Sequence, residues 1–245
     1  MKIGVLIIGS LYWDDSPPRT AWRSERLNCV RQHQVRVPIR YGRRSRSRGY
    51  SYTMVFSPDL CEDQFGTAVA IPFKSENMLE EEAKHLWSAE DSGGTGPKGG
   101  VLAGWGCVAL LENPQAPLSR TIRDRWTARI ERERRHLKLD HTHYEAAAVD
   151  ESGFLIIQWP KAKNGSPLEM DALLATATRP TRNAGDYPLP CKIAEAWDIP
   201  DGRKKTEYFW CNRAHGITTF QDAEIEDQLR KRGLAPGGSG QQEFN

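Results

Sequence analysis

The segment Ile3-Gly4-Val5-Leu6-Ile7-Ile8 constrains the fold more than any other part of the chain. It has no polar side chain, and it breaks off at Gly9-Ser10. The run is strand-sized, far below the ~20 residues that span a bilayer. A strand that is apolar on both faces must be covered on both, so it reads as a buried strand. The other elements have to provide that cover.

Val35 to Tyr41 alternates apolar and charged side chains, which predicts a half-buried strand, and Pro38 removes a ladder donor, which places it near a sheet edge. Tyr50–Phe56 and Gly66–Phe73 are rich in aromatic and β-branched residues and read as strands. Leu102–Leu111, Phe154–Trp159 and Asp171–Thr178 are read the same way. Asn77 with Glu80 forms a capping-box pattern, followed by Leu79, Ala83, Leu86 and Trp87 at helical spacing up to Glu90. Ser119 caps a second, basic helix that runs to Lys138, with Ile122, Trp126, Ile130 and Leu137 as its apolar stripe. That stripe should face inward and the arginines outward. Helical patterns recur at Cys191–Trp197, Glu207–Arg213 and Asp222–Arg232. Strands lead and helices dominate the end, which is an α+β order. The expectation is one curved sheet, a meander or partly closed barrel, built from residues 2–8, 35–41, 50–56, 66–73 and 102–111. The Asn77–Glu90 helix should pack on it. Residues 1–234 read as one domain with an insertion at about 113–170, and 235–245 have a disordered composition.

Charged residues make up 27% of the chain and hydrophobic ones 38%, as in ordinary globular proteins. The N-terminal apolar run meets Trp13-Asp14-Asp15 too soon for a signal peptide, which argues for a cytoplasmic protein without a membrane segment. The 5 cysteines are odd in number and scattered, which argues against a disulfide framework or a four-cysteine zinc site. Net charge is only +2, yet ten arginines lie between Arg19 and Arg48 against the single acid Glu25. Such a run reads first as a solvated face. Arg43, Arg44, Arg46 and Arg48 with Tyr41, Tyr50 and Tyr52 would also suit a nucleic-acid backbone, but no recognised nucleic-acid motif accompanies them.

Two places carry candidate chemistry. Gly9-Ser10-Leu11 follows the buried strand, where ladder amides become free and a glycine lets a ligand approach the main chain. Such a loop cradles a carboxylate or phosphate. Glu90 ends its helix at the negative end of the dipole, which disfavours its charged form and suits a proton shuttle. Glu80, Glu81, Glu82 and Asp91 are its rivals. His141-Thr142-His143, near His136, Asp140 and Glu145, is the one metal-like cluster; without an obvious third ligand it reads as a polar loop, and no metal site is assigned. Neither Cys29 nor Cys107 has a neighbouring base in sequence to make it a nucleophile.

Ile7-Ile8-Gly9-Ser10-Leu11-Tyr12-Trp13 resembles the Tyr-Gly-Ser-Leu-Ile-Trp signature of γ-glutamylcyclotransferase-like proteins, the ChaC and AIG2-like types. Gly66–Ile71 is similar to the strand before their catalytic helix, and Leu86–Gly93 to the segment with their catalytic glutamate. Leu173–Ala177, Ile193-Ala194, Tyr208 and Gly216-Ile217 follow in the family's order. Ile8 stands where the family has tyrosine, and 113–170 has no counterpart. The resemblance implies a small mixed β-barrel with flanking helices and release of 5-oxoproline from a γ-glutamyl amine or peptide. It implies no cofactor. It implies Glu90 as the catalytic acid/base, and Gly9, Ser10, Leu11 and Tyr12 as substrate-binding residues. The alternatives are a non-catalytic small-molecule-binding protein on the same scaffold and a nucleic-acid-binding module.

Overall fold

The structure, a computed structural model, describes residues 1–236 except 77, 91–98, 140–147, 183–184 and 199–201. The Asn77 cap, the rival acid Asp91, the His141-Thr142-His143 cluster with Asp140 and Glu145, and most of the expected tail therefore lie outside the described residues.

The apolar N-terminal run forms β1 (Ile3–Ile7), buried at every position. Its neighbours are β5 (Gly66–Pro72), antiparallel, and β9 (Ala172–Thr178), parallel. Pairing on both edges and full burial explain why β1 shows no alternation. The remaining strands of this sheet are β2 (His33–Val37), β6 (Leu102–Ala103), β7 (Gly106–Glu112) and β8 (Lys161–Ala162). The order across the seven-stranded sheet is β6-β7-β9-β1-β5-β2-β8. A second, two-stranded sheet pairs β3 (Ile39–Ser45) with β4 (Ser51–Phe56).

The mixed α+β architecture is as expected, and residues 2–8 and 66–73 do share a sheet. Three expectations need correction. The expected strand 35–41 is two strands of different sheets, separated at Pro38, so residues 50–56 pair outside the main sheet. Leu102–Leu111 is a hairpin, β6 and β7, turning at Gly104-Trp105. Phe154–Trp159 is not a strand: Phe154 and Leu155 make only isolated bridges, to Leu110 and Val149. Among the described residues no pairing joins β6 to β8, so the sheet is open and not a closed barrel.

Helix α1 (Pro17–Arg26) was not foreseen, although Pro17 and Pro18 sit where a helix tolerates proline best. It packs on α2 (Leu79–Glu90), which lies against β7 and β9. A buried clamp joins the two helices. The Glu82 carboxylate has no solvent exposure and receives Arg26 Nε at 3.1 Å, Arg26 Nη2 at 2.9 Å and Ser75 Oγ at 2.6 Å. Glu82, a rival acid, is therefore spent on structure.

Helix α3 (Arg120–Leu137) is capped by Ser119, whose hydroxyl accepts from the Ile122 amide. Trp126 and Ile130 are buried and Ile122 half-buried, as the stripe predicts. Arg129 departs from the pattern. It is buried, pairs with Glu133 at 3.0 Å and donates to the Glu80 and Gly99 carbonyls. Trp126 Nε1 donates to the Gly153 carbonyl at 3.0 Å. Gly153 has φ +83°, and an added Cβ would come within 2.5 Å of Ile130 Cγ1, so only glycine fits beneath this helix.

The C-terminal part contributes α4 (Pro190–Trp197), α5 (Gly202–Ala214) and α6 (Asp222–Lys231). Tyr41 of β3 meets Trp197 of α4 edge-on at 5.4 Å and lies beside Tyr208 and Phe209 of α5. At the start of α6, burial pushes the Asp222 carboxyl up to about 6, against the lowering effect of hydrogen bonds from the Thr219 hydroxyl and amide. Its folded value lies above the ordinary 3.8, so the folded state holds the proton more tightly. Stability from this group is full below pH ~4 and declines as pH rises to about 6, by roughly 2–3 kcal/mol. Asp222→Asn should remove that decline. Urea denaturation of both proteins at several pH values between 4 and 7 checks this; parallel pH profiles would refute it.

Candidate functional site

The end of β1 opens into a cleft of about 1350 Å³. Its walls include Ile8, Gly9, Ser10, Leu11 and Glu90, so the loop and the acid singled out from the sequence face one space. Among the described residues, neither the Ser10 nor the Leu11 amide donates to a protein acceptor. The turn closes just after them, with Tyr12 N–H on the Gly9 carbonyl and Asp14 N–H on the Ser10 carbonyl. Two free donors are thus left at the mouth of the strand, the arrangement of an oxyanion cradle.

Arg19 of α1 assembles this corner. Its Nη1 donates to Ser10 Oγ at 2.9 Å and Asp14 Oδ2 at 2.8 Å, its Nε to the Ala89 carbonyl, and its Nη2 stands 3.4 Å from Glu90 Oε2. The side chain is nearly buried. One guanidinium therefore fixes the loop, the helix end and the acid relative to one another. Glu90 is ion-paired, not isolated at the end of its helix. Only one of its oxygens meets Arg19, and among the described residues Oε1 has no partner. Asp14 is raised by burial but held below its ordinary value by the Ser16 hydrogen bonds and the charges of Arg19 and Arg48.

Gly9 is required by a close approach. An added Cβ would lie 2.5 Å from the Tyr208 hydroxyl. Tyr208 comes from α5, accepts from the Met54 amide at 3.2 Å and lines the cleft; burial raises its phenol, which stays protonated. Ile8 puts an aliphatic side chain on the cleft wall, and Tyr208 puts a phenol there. Tyr12, by contrast, lies outside the lining: its hydroxyl donates to Gln32 at 2.9 Å and its ring meets His215.

The rest of the lining is strongly cationic. Arg43, Arg44, Arg46, Arg48, Arg179 and Arg182 line it together with Trp105, while among the described residues Glu90 is the sole acid in the lining. The run read as a solvated face thus turns partly into the cleft. A β-bulge at Gly42 explains how. Tyr41 pairs with Met54 and Arg43 with Thr53, adjacent partners on opposite faces, so the extra residue turns Arg43 away from the face that carries Tyr41. Without it, Arg43 would follow Tyr41 into the aromatic core. Arg43 then lies 4.6 Å over Trp105, which also stacks on Trp87 at 4.8 Å.

Among the described residues no group of three His, Cys, Asp or Glu side chains can hold a metal ion. His136 is exposed on the last turn of α3. Cys107 is buried, and burial pushes its thiol up to about 12, so it carries no thiolate near neutral pH. A maleimide should label the exposed Cys29 and Cys61 quickly and leave Cys107 unmodified until unfolding. Rapid labelling of Cys107 in the folded protein, read by peptide mass, would contradict this.

No helix among the described residues is long and apolar enough to cross a membrane. Comparison with family models, curated proteins and solved structures returned no match.

Proposed function

We infer that the cleft is the site of a γ-glutamylcyclotransferase-like reaction. The observation that carries this reading is the shared cavity: the Ser10-Leu11 loop, whose amides have no protein acceptor among the described residues, and Glu90 line one space, linked by Arg19. The ordered resemblance of the sequence supports it, and the reading includes the curved, barrel-like scaffold of that family.

In this reading the Ser10 and Leu11 amides hold the carboxylate of a γ-glutamyl head. The substrate's α-amine then attacks its own γ-carbonyl carbon. The new C–N bond closes the five-membered ring, and the amide bond to the departing amine breaks. Glu90 Oε1 accepts the proton shed by the attacking nitrogen and returns it to the leaving nitrogen, so no net proton, water or cofactor is consumed. Folding the head back so that both reacting atoms meet makes the attack a productive intramolecular step. A panel of γ-glutamyl amines, amino acids and peptides, assayed for 5-oxoproline, tests the reading. Release from any of them supports it; a blank panel with folded protein rejects it in favour of a non-catalytic binding protein.

A further inference from the structure

The arginine wall carries more charge than the reaction needs. A γ-glutamyl head is a zwitterion, with one carboxylate and one ammonium, and the loop amides with Arg19 already face it. Arg19 and Arg48 are neutralised by Asp14 and Glu90. Among the described residues, Arg43, Arg44, Arg46, Arg179 and Arg182 make no ion pair. Like charges packed into one cleft repel, and their presence there calls for a counter-charge.

Three of these guanidinium groups lie over aromatic rings. Arg43 lies over Trp105, Arg44 lies 5.3 Å over Tyr52, and Arg182 lies 4.4 Å over Tyr187 while donating to its hydroxyl at 2.9 Å. These ring contacts consume no N–H donor, so among the described residues the forks, apart from the Arg182 bond to Tyr187, are left for the paired oxygens of a phosphate or carboxylate. Arg43 is the most committed. The bulge at Gly42 turns it into the cleft, and the Trp105–Trp87 stack backs it. Burial also pulls its guanidinium below the ordinary arginine value, although the nearby Glu90 charge opposes the shift.

We propose that the arginine wall is a subsite for a multiply charged oxyanion group, a phosphoryl cluster or clustered carboxylates, carried by the ligand beyond its head. This rests on the γ-glutamyl reading only for what lies at the Ser10 end; the subsite itself is defined by Arg43 and its neighbours. The substrate class is then a γ-glutamyl compound whose amine portion is polyanionic.

The test is calorimetric titration of the intact chain with inorganic pyrophosphate and with citrate, at fixed ionic strength in chloride. Saturable binding is expected, weakening as chloride rises. Tighter pyrophosphate assigns phosphoryl groups; tighter citrate assigns carboxylates. Arg43→Gln should raise the dissociation constant roughly tenfold or more, the loss of one charge-assisted contact. Arg43→Lys should weaken binding less, and Arg120→Gln, exposed at the start of α3, should leave it unchanged. Binding of neither anion, or equal loss with Arg120→Gln, overturns the proposal. Binding of a single-stranded oligouridylate far more tightly than either anion overturns it in favour of a nucleic-acid surface. Anion binding without any 5-oxoproline release leaves the subsite standing and rejects the γ-glutamyl reading. Release without anion binding does the reverse.

Discussion

Arg26→Ala should lower stability by about 3–5 kcal/mol. The partner explains the size. Glu82 has no solvent exposure, and Arg26 supplies both of its guanidinium contacts at 3.1 and 2.9 Å. Once Arg26 is truncated, the carboxylate keeps only the Ser75 hydroxyl at 2.6 Å, buried between α1 and α2 with no cation to offset its desolvation. Arg26 also reaches Glu81 at 2.9 Å, but that carboxylate is half-exposed and its loss matters little. For a chain of this size the penalty corresponds to a fall in melting temperature of about 6–20 °C. Arg26→Lys should lose less, since charge is kept and the fork is not. Adding Glu82→Gln to Arg26→Ala should recover part of the loss, because a buried amide is cheaper to leave under-bonded than a buried carboxylate. Thermal and urea unfolding of these variants and of Glu82→Gln alone check this. Full additivity of the two changes would show that the pair is not coupled.

The second large effect concerns turnover. Glu90→Gln should reduce the rate of 5-oxoproline formation by about 10²–10⁴, the usual contribution of a positioned acid/base and equal to roughly 3–5 kcal/mol of barrier. The amide keeps the shape of the side chain, and its carbonyl oxygen can still receive Arg19 Nη2, now 3.4 Å from Glu90 Oε2. Folding should therefore be unchanged. What is lost is the ability of Oε1 to take and return a proton. Ser10→Ala should act differently. Arg19 Nη1 keeps Asp14 at 2.8 Å, and the amides of positions 10 and 11 remain, so KM should rise by less than roughly tenfold with kcat nearly intact. Steady-state kinetics separate the two. Comparable kcat in Glu90→Gln and the unaltered protein would remove Glu90 from the chemistry.

The sequence made the local parts of this site legible and the assembly of its walls far less so. The buried strand, the loop after it, the helix ending at Glu90 and the order α+β follow from apolar runs, caps and periodicity. Those signals are local, and they hold because β1 and β9 are covered on both faces. Helix α1 escaped notice because Arg19, Arg23 and Arg26 carry charge through it, leaving Trp22 as its one large buried apolar residue. Its arginines are spent on Asp14, Glu90 and Glu82, partners 5, 71 and 56 positions away, which no spacing rule connects. The bulge at Gly42 was hidden for a similar reason: alternation along one strand cannot show that its partner is a residue short. Arg43 therefore read as solvated when it backs a cleft. Tyr12 read as part of the loop, but one more residue of turn carries it round to Gln32. Pro38 was read as the sign of a sheet edge within one strand, but it parts two strands that belong to different sheets.

The most direct measurement is the product balance on the best compound of the γ-glutamyl panel. Cyclisation and hydrolysis release the same amine but differ in the acyl product. The shared cavity of loop and Glu90 predicts 5-oxoproline equimolar with free amine, with no glutamate formed. Glutamate in its place, or no acyl product from any compound with the protein folded, would contradict the account.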